Sequence, residues 1–257
     1  NLNKEINKKS YIKWYTEFID NKAQDFKITN ELVNSGTRDL EVMKKRGMEP
    51  NNTLFEFGVG YLRSSNHFIK YLEKTNFVGN DTSKNRIERG KVLFSNIMDK
   101  KPNLIVSNDN TLDWLEGKKF DYIYSHAVFC HMPINDIKEV FINMRNKVMH
   151  DESEFYTTYS VLDFNNFRGY EKEKYDEVNI KNIFKAKDQL HLYESMRSQQ
   201  NKDIIQTGAS NWFHSREFME SFATSCGLIV EDVTGSLGDE AGLCYSPWNR
   251  LIKMTIK

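Results

Sequence analysis

Three features that many chains of this size carry are missing here, and each absence narrows the reading. Cysteine is scarce: Cys130, Cys226 and Cys244 are odd in number and show no paired metal spacing. A disulfide framework and a zinc site are therefore not indicated, and a reducing cytoplasm is the expected compartment. No apolar run approaches the ~20 residues of a membrane span, and the Asn- and Lys-rich start has no signal-peptide core. A soluble chain that is not exported is expected. Net charge is also missing, because Lys plus Arg and Asp plus Glu both total 36. That balance gives no long-range attraction to nucleic acid. The chain opens at Asn1 rather than Met and is read as a trimmed product or a piece of a longer polypeptide.

What is present is most informative at Thr53–Arg63, TLFEFGVGYLR. An apolar strand ends in Glu56, the spaced glycines Gly58 and Gly60, and the start of an amphipathic helix from about Ser64. Such a turn lets backbone approach a ligand closely, with a helix N-terminus nearby. A dinucleotide fingerprint needs a third glycine where Arg63 stands, which argues against a bound pyrophosphate. Glu56 points the same way, since its carboxylate would repel a phosphate and attract a cation. After the helix, Asn76–Asp81 reads as a second strand. Its Asp81 lies about 20 residues past the glycines, the offset at which a carboxylate meets ribose hydroxyls. Phe120–Ser125 is a third strand, followed by His126 and a turn reaching His131 and Pro133.

These three blocks, in this order and spacing, resemble the class I S-adenosylmethionine-dependent methyltransferases over roughly Thr53–Tyr159. The resemblance implies a Rossmann-like α/β fold, with a seven-stranded, mostly parallel sheet, helices on both faces and an antiparallel last strand. It also implies S-adenosyl-L-methionine as cofactor; no metal is expected, given the cysteine spacing. Glu56, Gly58 and Gly60 would meet the amino acid portion, and Asp81 with Thr82 the ribose. Asp109 and Asn110, after the strand Leu104–Val106, would meet the adenine, and Ser125 completes the cofactor set. Leu62 departs from the pattern, because many members have a small residue there.

One domain is expected over 1–257. It comprises an N-terminal helical lid (1–50), a cofactor-binding core (51–160), an acceptor-site insertion (161–211), and a C-terminal helix and strand pair (212–257). Tyr11, Trp14, Tyr15 and Phe18 share one helical face, either packed on the sheet or closing over the cofactor. Ile137, Val140, Phe141, Met144 and Val148 form a core stripe. The connection Leu162–Asn211 far exceeds what a parallel crossover requires; its segments near 175–188 and 189–200 read as helical or, from their mixed charges, simply as solvated surface. Phe218, Met219 and Phe222 mark a late helix that ends at Gly227. Two closing strands then follow.

A neutral hydroxyl acceptor needs a base, for which His126 and then His214 are the catalytic candidates; each has an alternative role in packing. His131 is read as structural. Tyr159, Arg168, Tyr170 and Trp212, with Asn165 and Asn166, are candidate acceptor contacts. Arg168 is suited to an oxyanion or else simply lies on the surface. The expected partner is a small-molecule acceptor, not nucleic acid or a membrane, and a homodimer is left open. A sugar hydroxyl or phosphate-type oxygen of a nucleotide-linked or capsular saccharide precursor is the leading acceptor. Amine, RNA or protein methylation and a non-catalytic partner subunit are the alternatives.

Overall fold

The computed structural model describes residues 8–25, 27, 29–160, 204–207, 211–214, 216–234 and 249–256. Among the described residues, nine strands fall into a seven-stranded sheet, ordered β3-β2-β1-β4-β5-β9-β8, and a two-stranded sheet of β6 and β7. The strands are β1 (Leu54–Phe57), β2 (Phe77–Asp81), β3 (Asn103–Val106), β4 (Tyr122–Ser125), β5 (Glu154–Ser160), β6 (Ile204–Thr207), β7 (Asn211–His214), β8 (Leu228–Asp232) and β9 (Asn249–Ile256). The α-helices among the described residues are α1 (Lys8–Asp25), α2 (Asn30–Lys45), α3 (Ser65–Tyr71), α4 (Lys84–Leu93), α5 (Ile134–Asn143) and α6 (Arg216–Ser225). The chain divides into two compact units, Asn1–Asp109 and Asn110–Lys257.

In the first unit β1 runs parallel to β2, from Leu54 opposite Phe77 to Phe57 opposite Asn80, and β2 runs parallel to β3. Every residue of β1 and β2 is buried, as expected of parallel strands covered on both faces. Because β1 and β2 point the same way, Gly58 and Asp81 emerge at the same edge, where ligands bind in open α/β sheets. The aromatic face predicted near the N-terminus is real. Tyr11 stacks on Tyr15 at 6.0 Å and Trp14 on Phe18 at 5.3 Å. The helix carrying it packs against α4.

In the second unit β4 is parallel to β5, while β9 is antiparallel to both β5 and β8. The predicted stripe Ile137, Val140, Phe141, Met144 and Val148 is wholly buried. Its centre is a cluster of aromatic edges, with Phe141 meeting Phe129 at 5.1 Å and Phe155 at 6.0 Å. Gly227 closes α6 at φ 82°, the left-handed conformation foreseen for it. The antiparallel pairing of β6 with β7, Ile204 opposite His214, lies at the end of the insertion and was not anticipated. The helical patterns near 175–188 and 189–200 fall outside the described residues. Among the described residues, no helix is long and apolar enough to cross a membrane.

Candidate cofactor and acceptor sites

The glycine turn is held from below by β2. The Gly58 and Val59 N–H groups both donate to the Asn80 carbonyl at 2.9 Å, and Gly60 N–H donates to Asp81 Oδ2 at 2.8 Å. Gly58 has φ 88° and Gly60 φ 52°, conformations that cost a glycine little. A Cβ at Gly60 would meet nothing within 4 Å, so the turn is bordered by open space on that side. Leu62, the departure from the expected small residue, also has positive φ, at 62°, and is fully buried. Its room comes from Gly90 of α4, where a Cβ would lie 2.7 Å from Leu62 Cγ and 2.9 Å from the Tyr61 backbone. Gly79 of β2 makes room for Val59 in the same way.

Glu56 and Asp81 are both buried, and burial disfavours their charged forms. Burial pushes the Glu56 carboxyl up to about 8; a hydrogen bond from Ser65 Oγ at 2.6 Å and the charge of Arg63 oppose the shift, while Asp39 and Asp81 add to it. The Asp81 pKa is raised as well, again chiefly by burial, against Arg86 and the N–H groups of Ser83 and Gly60. Asp81 Oδ1 accepts from Ser83 N–H at 2.8 Å. Each Asp81 oxygen thus takes one backbone donor and keeps lone-pair capacity for others.

Two residues that sequence reasoning missed support this turn. Asp39 of α2 is buried and accepts from Arg63 Nη2 at 2.6 Å and from the Ser64 hydroxyl. Asp20 of α1 accepts from the Ser83 hydroxyl and from Asn85 N–H. Both partners lie more than 20 residues away, so no local motif could have revealed them. Thr82, expected to face the cofactor, has its hydroxyl hydrogen-bonded to that of Thr16. Asp109 is exposed, and its N–H donates to Ser107 Oγ at 3.2 Å.

The remaining candidates belong to the second unit. Asn110 is buried and its carbonyl accepts from Asn143 Nδ2 at 2.9 Å. Ser125 ends β4, fully buried and opposite Thr157. His126 Nδ1 lies 3.3 Å from the Tyr124 hydroxyl. The next residue, Ala127, has φ 53° and donates its N–H to Thr158 Oγ1 at 2.8 Å, which pins the loop carrying His126. His131 closes a short 3₁₀ turn and donates its N–H to the Val128 carbonyl. His214 is buried at the end of β7, its ring stacked on Phe218 at 6.1 Å. Burial lowers its pKa to about 4, so it is neutral at physiological pH. Tyr159 is buried on β5, opposite Arg250 of β9. Trp212 lies in β7 opposite Gln206. Asn165, Asn166, Arg168 and Tyr170 lie outside the described residues. Among the described residues, no group of His, Cys, Asp or Glu could hold a metal ion.

No protein-family model and no curated protein sequence matches the chain. Solved structures do, over 86–97% of its length in the three that follow. A complex of DhpI with S-adenosylhomocysteine is 10% identical at TM-score 0.59, covering 97% of this chain and 98% of the other. Magnesium protoporphyrin IX methyltransferase (ChlM) from Synechocystis PCC 6803, with bound S-adenosylhomocysteine, is 9% identical at TM-score 0.58, covering 96% and 100%. The glycopeptide N-methyltransferase MtfA, complexed with S-adenosylmethionine, is 10% identical at TM-score 0.58, covering 86% and 94%. The chain has the fold of these proteins: the Rossmann-like, seven-stranded sheet with its antiparallel last strand.

Proposed function

We propose that the chain is an S-adenosylmethionine-dependent methyltransferase acting on a small-molecule oxygen. The observation that carries the reading is the pairing of Gly60 with Asp81 beside the buried Glu56. Its residues suit the parts of this cofactor. A cation next to Glu56 would draw its carboxyl back to the ionised form, as an ammonium group requires. The spare lone pairs of Asp81 would accept ribose hydroxyls, and the open side of Gly60 leaves room for a ligand against the backbone. The bound S-adenosylmethionine or S-adenosylhomocysteine in DhpI, ChlM and MtfA supports the same assignment.

When bound, the cofactor supplies an electrophilic methyl group on a sulfonium sulfur. The chain's own contribution is alignment, with removal of a proton where the acceptor is a neutral hydroxyl. His126 is favoured for that proton because Tyr124 contacts one ring nitrogen and Thr158 holds the following peptide. His214, with its pKa near 4, is a much weaker base. Tyr159, Arg168, Tyr170 and Trp212 remain the proposed acceptor contacts. A sugar or phosphate-type oxygen of a saccharide precursor is the proposed acceptor class. MtfA, a glycopeptide N-methyltransferase of this fold, keeps an amine acceptor as the second reading.

Calorimetry with S-adenosylhomocysteine tests the cofactor. Transfer from labelled S-adenosylmethionine across nucleotide sugars, phosphorylated sugars and amines tests the acceptor. Absence of binding removes the methyltransferase reading, and transfer to amines alone replaces oxygen by nitrogen.

A further inference from the structure

We propose that Asp20 of α1 is a positioning residue for the cofactor site, clasping the N-terminal helix to the segment on which the Asp81 carboxylate rests. This inference builds on the cofactor reading above. The Ser83 hydroxyl and the Asn85 N–H, at 3.1 Å, both donate to Asp20 Oδ1, and Asn85 Nδ2 donates to the Asp20 carbonyl at 3.2 Å. Thr16 with Thr82, and Arg89 with the Ala23 carbonyl, extend the same seam on either side.

The physical reason lies in the start of α4, whose first N–H groups have no partner within the helix. Ser83 caps it from within the chain, its Oγ accepting from Arg86 N–H at 3.1 Å. Asp20 accepts from the Asn85 N–H and from the Ser83 hydroxyl. A carboxylate is favoured at this end of a helix. Ser83 N–H in turn donates to Asp81 Oδ1, and Asp81 Oδ2 accepts from Gly60 N–H. Hydrogen bonds therefore run without a break from Asp20 through Ser83 and Asp81 to Gly60. The charge of Asp20 also contributes to the raised pKa of Asp81. Loss of Asp20 would weaken the hold on α1 and loosen Ser83, and with it the orientation of the Asp81 carboxylate.

The test compares the wild-type chain with Asp20→Ala, Asp20→Asn and, as a control, a substitution at an exposed α1 position, Glu17→Ala. S-adenosylhomocysteine affinity and hydrogen exchange are measured on the same samples. Asp20→Ala is expected to weaken binding roughly tenfold or more and to speed exchange in residues 8–25 and 82–86, with β1 and β2 unchanged. Asp20→Asn keeps an acceptor oxygen and should restore part of both, while Glu17→Ala should match wild type. Wild-type affinity in a folded Asp20→Ala chain overturns the proposal. If that variant does not fold, Ser83→Ala, which removes the hydroxyl donated to Asp20, takes its place, and wild-type affinity there overturns the proposal equally. A wild-type chain that binds no S-adenosylhomocysteine removes the cofactor reading instead. The clasp is then decided by exchange alone, and unchanged exchange in residues 8–25 refutes it.

Discussion

Gly60 N–H donates to Asp81 Oδ2 at 2.8 Å, tying the glycine turn after β1 to the acid that ends β2. The carboxylate therefore has two tasks, since the same group is the proposed ribose acceptor. Asp81→Ala is expected to weaken S-adenosylhomocysteine binding by about 1.5–3 kcal/mol, or roughly ten- to two-hundredfold. It should also speed exchange of the Gly60 amide. Unchanged calorimetric affinity in a folded variant would exclude the ribose role.

Glu56 links stability to pH. Its pKa rises from 4.5 to about 8 on burial, so the folded chain binds the extra proton between these values. The stabilisation is complete below about pH 4.5 and is lost as pH rises through 8. Without ligand, denaturant stability should fall between pH 6.5 and 8, by at most about 1.4 kcal/mol per pH unit from this group. In Glu56→Gln that part of the slope should vanish, and an identical slope would contradict the assignment.

His214 has the opposite sign, because its pKa falls from 6.5 to about 4. The unfolded chain takes up the proton first. Stability from neutral His214 is present above pH 6.5 and is lost as pH falls through 4. His214→Phe should gain on wild type progressively from pH 6.5 down to 4, read as the difference in urea midpoints. Parallel profiles over that range would show that the ring is not held neutral by burial.

His126→Ala should slow methyl transfer by roughly a hundred- to ten-thousandfold while leaving cofactor affinity within about twofold. Tyr124→Phe, which removes only the hydroxyl facing Nδ1, should give a smaller loss. Near-wild-type turnover in His126→Ala, under saturating cofactor and acceptor, would point to an acceptor that is already anionic.

Gly90→Ala places a methyl group against Leu62 and the Tyr61 backbone, so α4 or the turn must shift. A loss of about 1–3 kcal/mol in urea unfolding is expected. Cofactor affinity should fall with it, because Tyr61 and Leu62 directly follow Gly60. A fully stable variant would mean that the turn yields freely there.

The sequence by itself made legible the strands β1 to β5, the helix stripe from Ile137 to Val148, the glycine turn and the acid that ends β2, but not α4. Each is written in short-range pattern: continuous apolar runs for strands buried on both faces, helical spacing from Ile137 to Val148, and glycines where φ is positive. It also marked Leu62 as a departure but not its remedy, because Gly90 meets Leu62 only when α4 packs on the turn. Asp20 and Asp39 were invisible for the same reason, being ordinary helix acids until their distant partners arrive. The proton on Glu56 and the neutrality of His214 were likewise left to the tertiary structure. Burial is set by all the surrounding elements together, and desolvation is the largest influence on both groups.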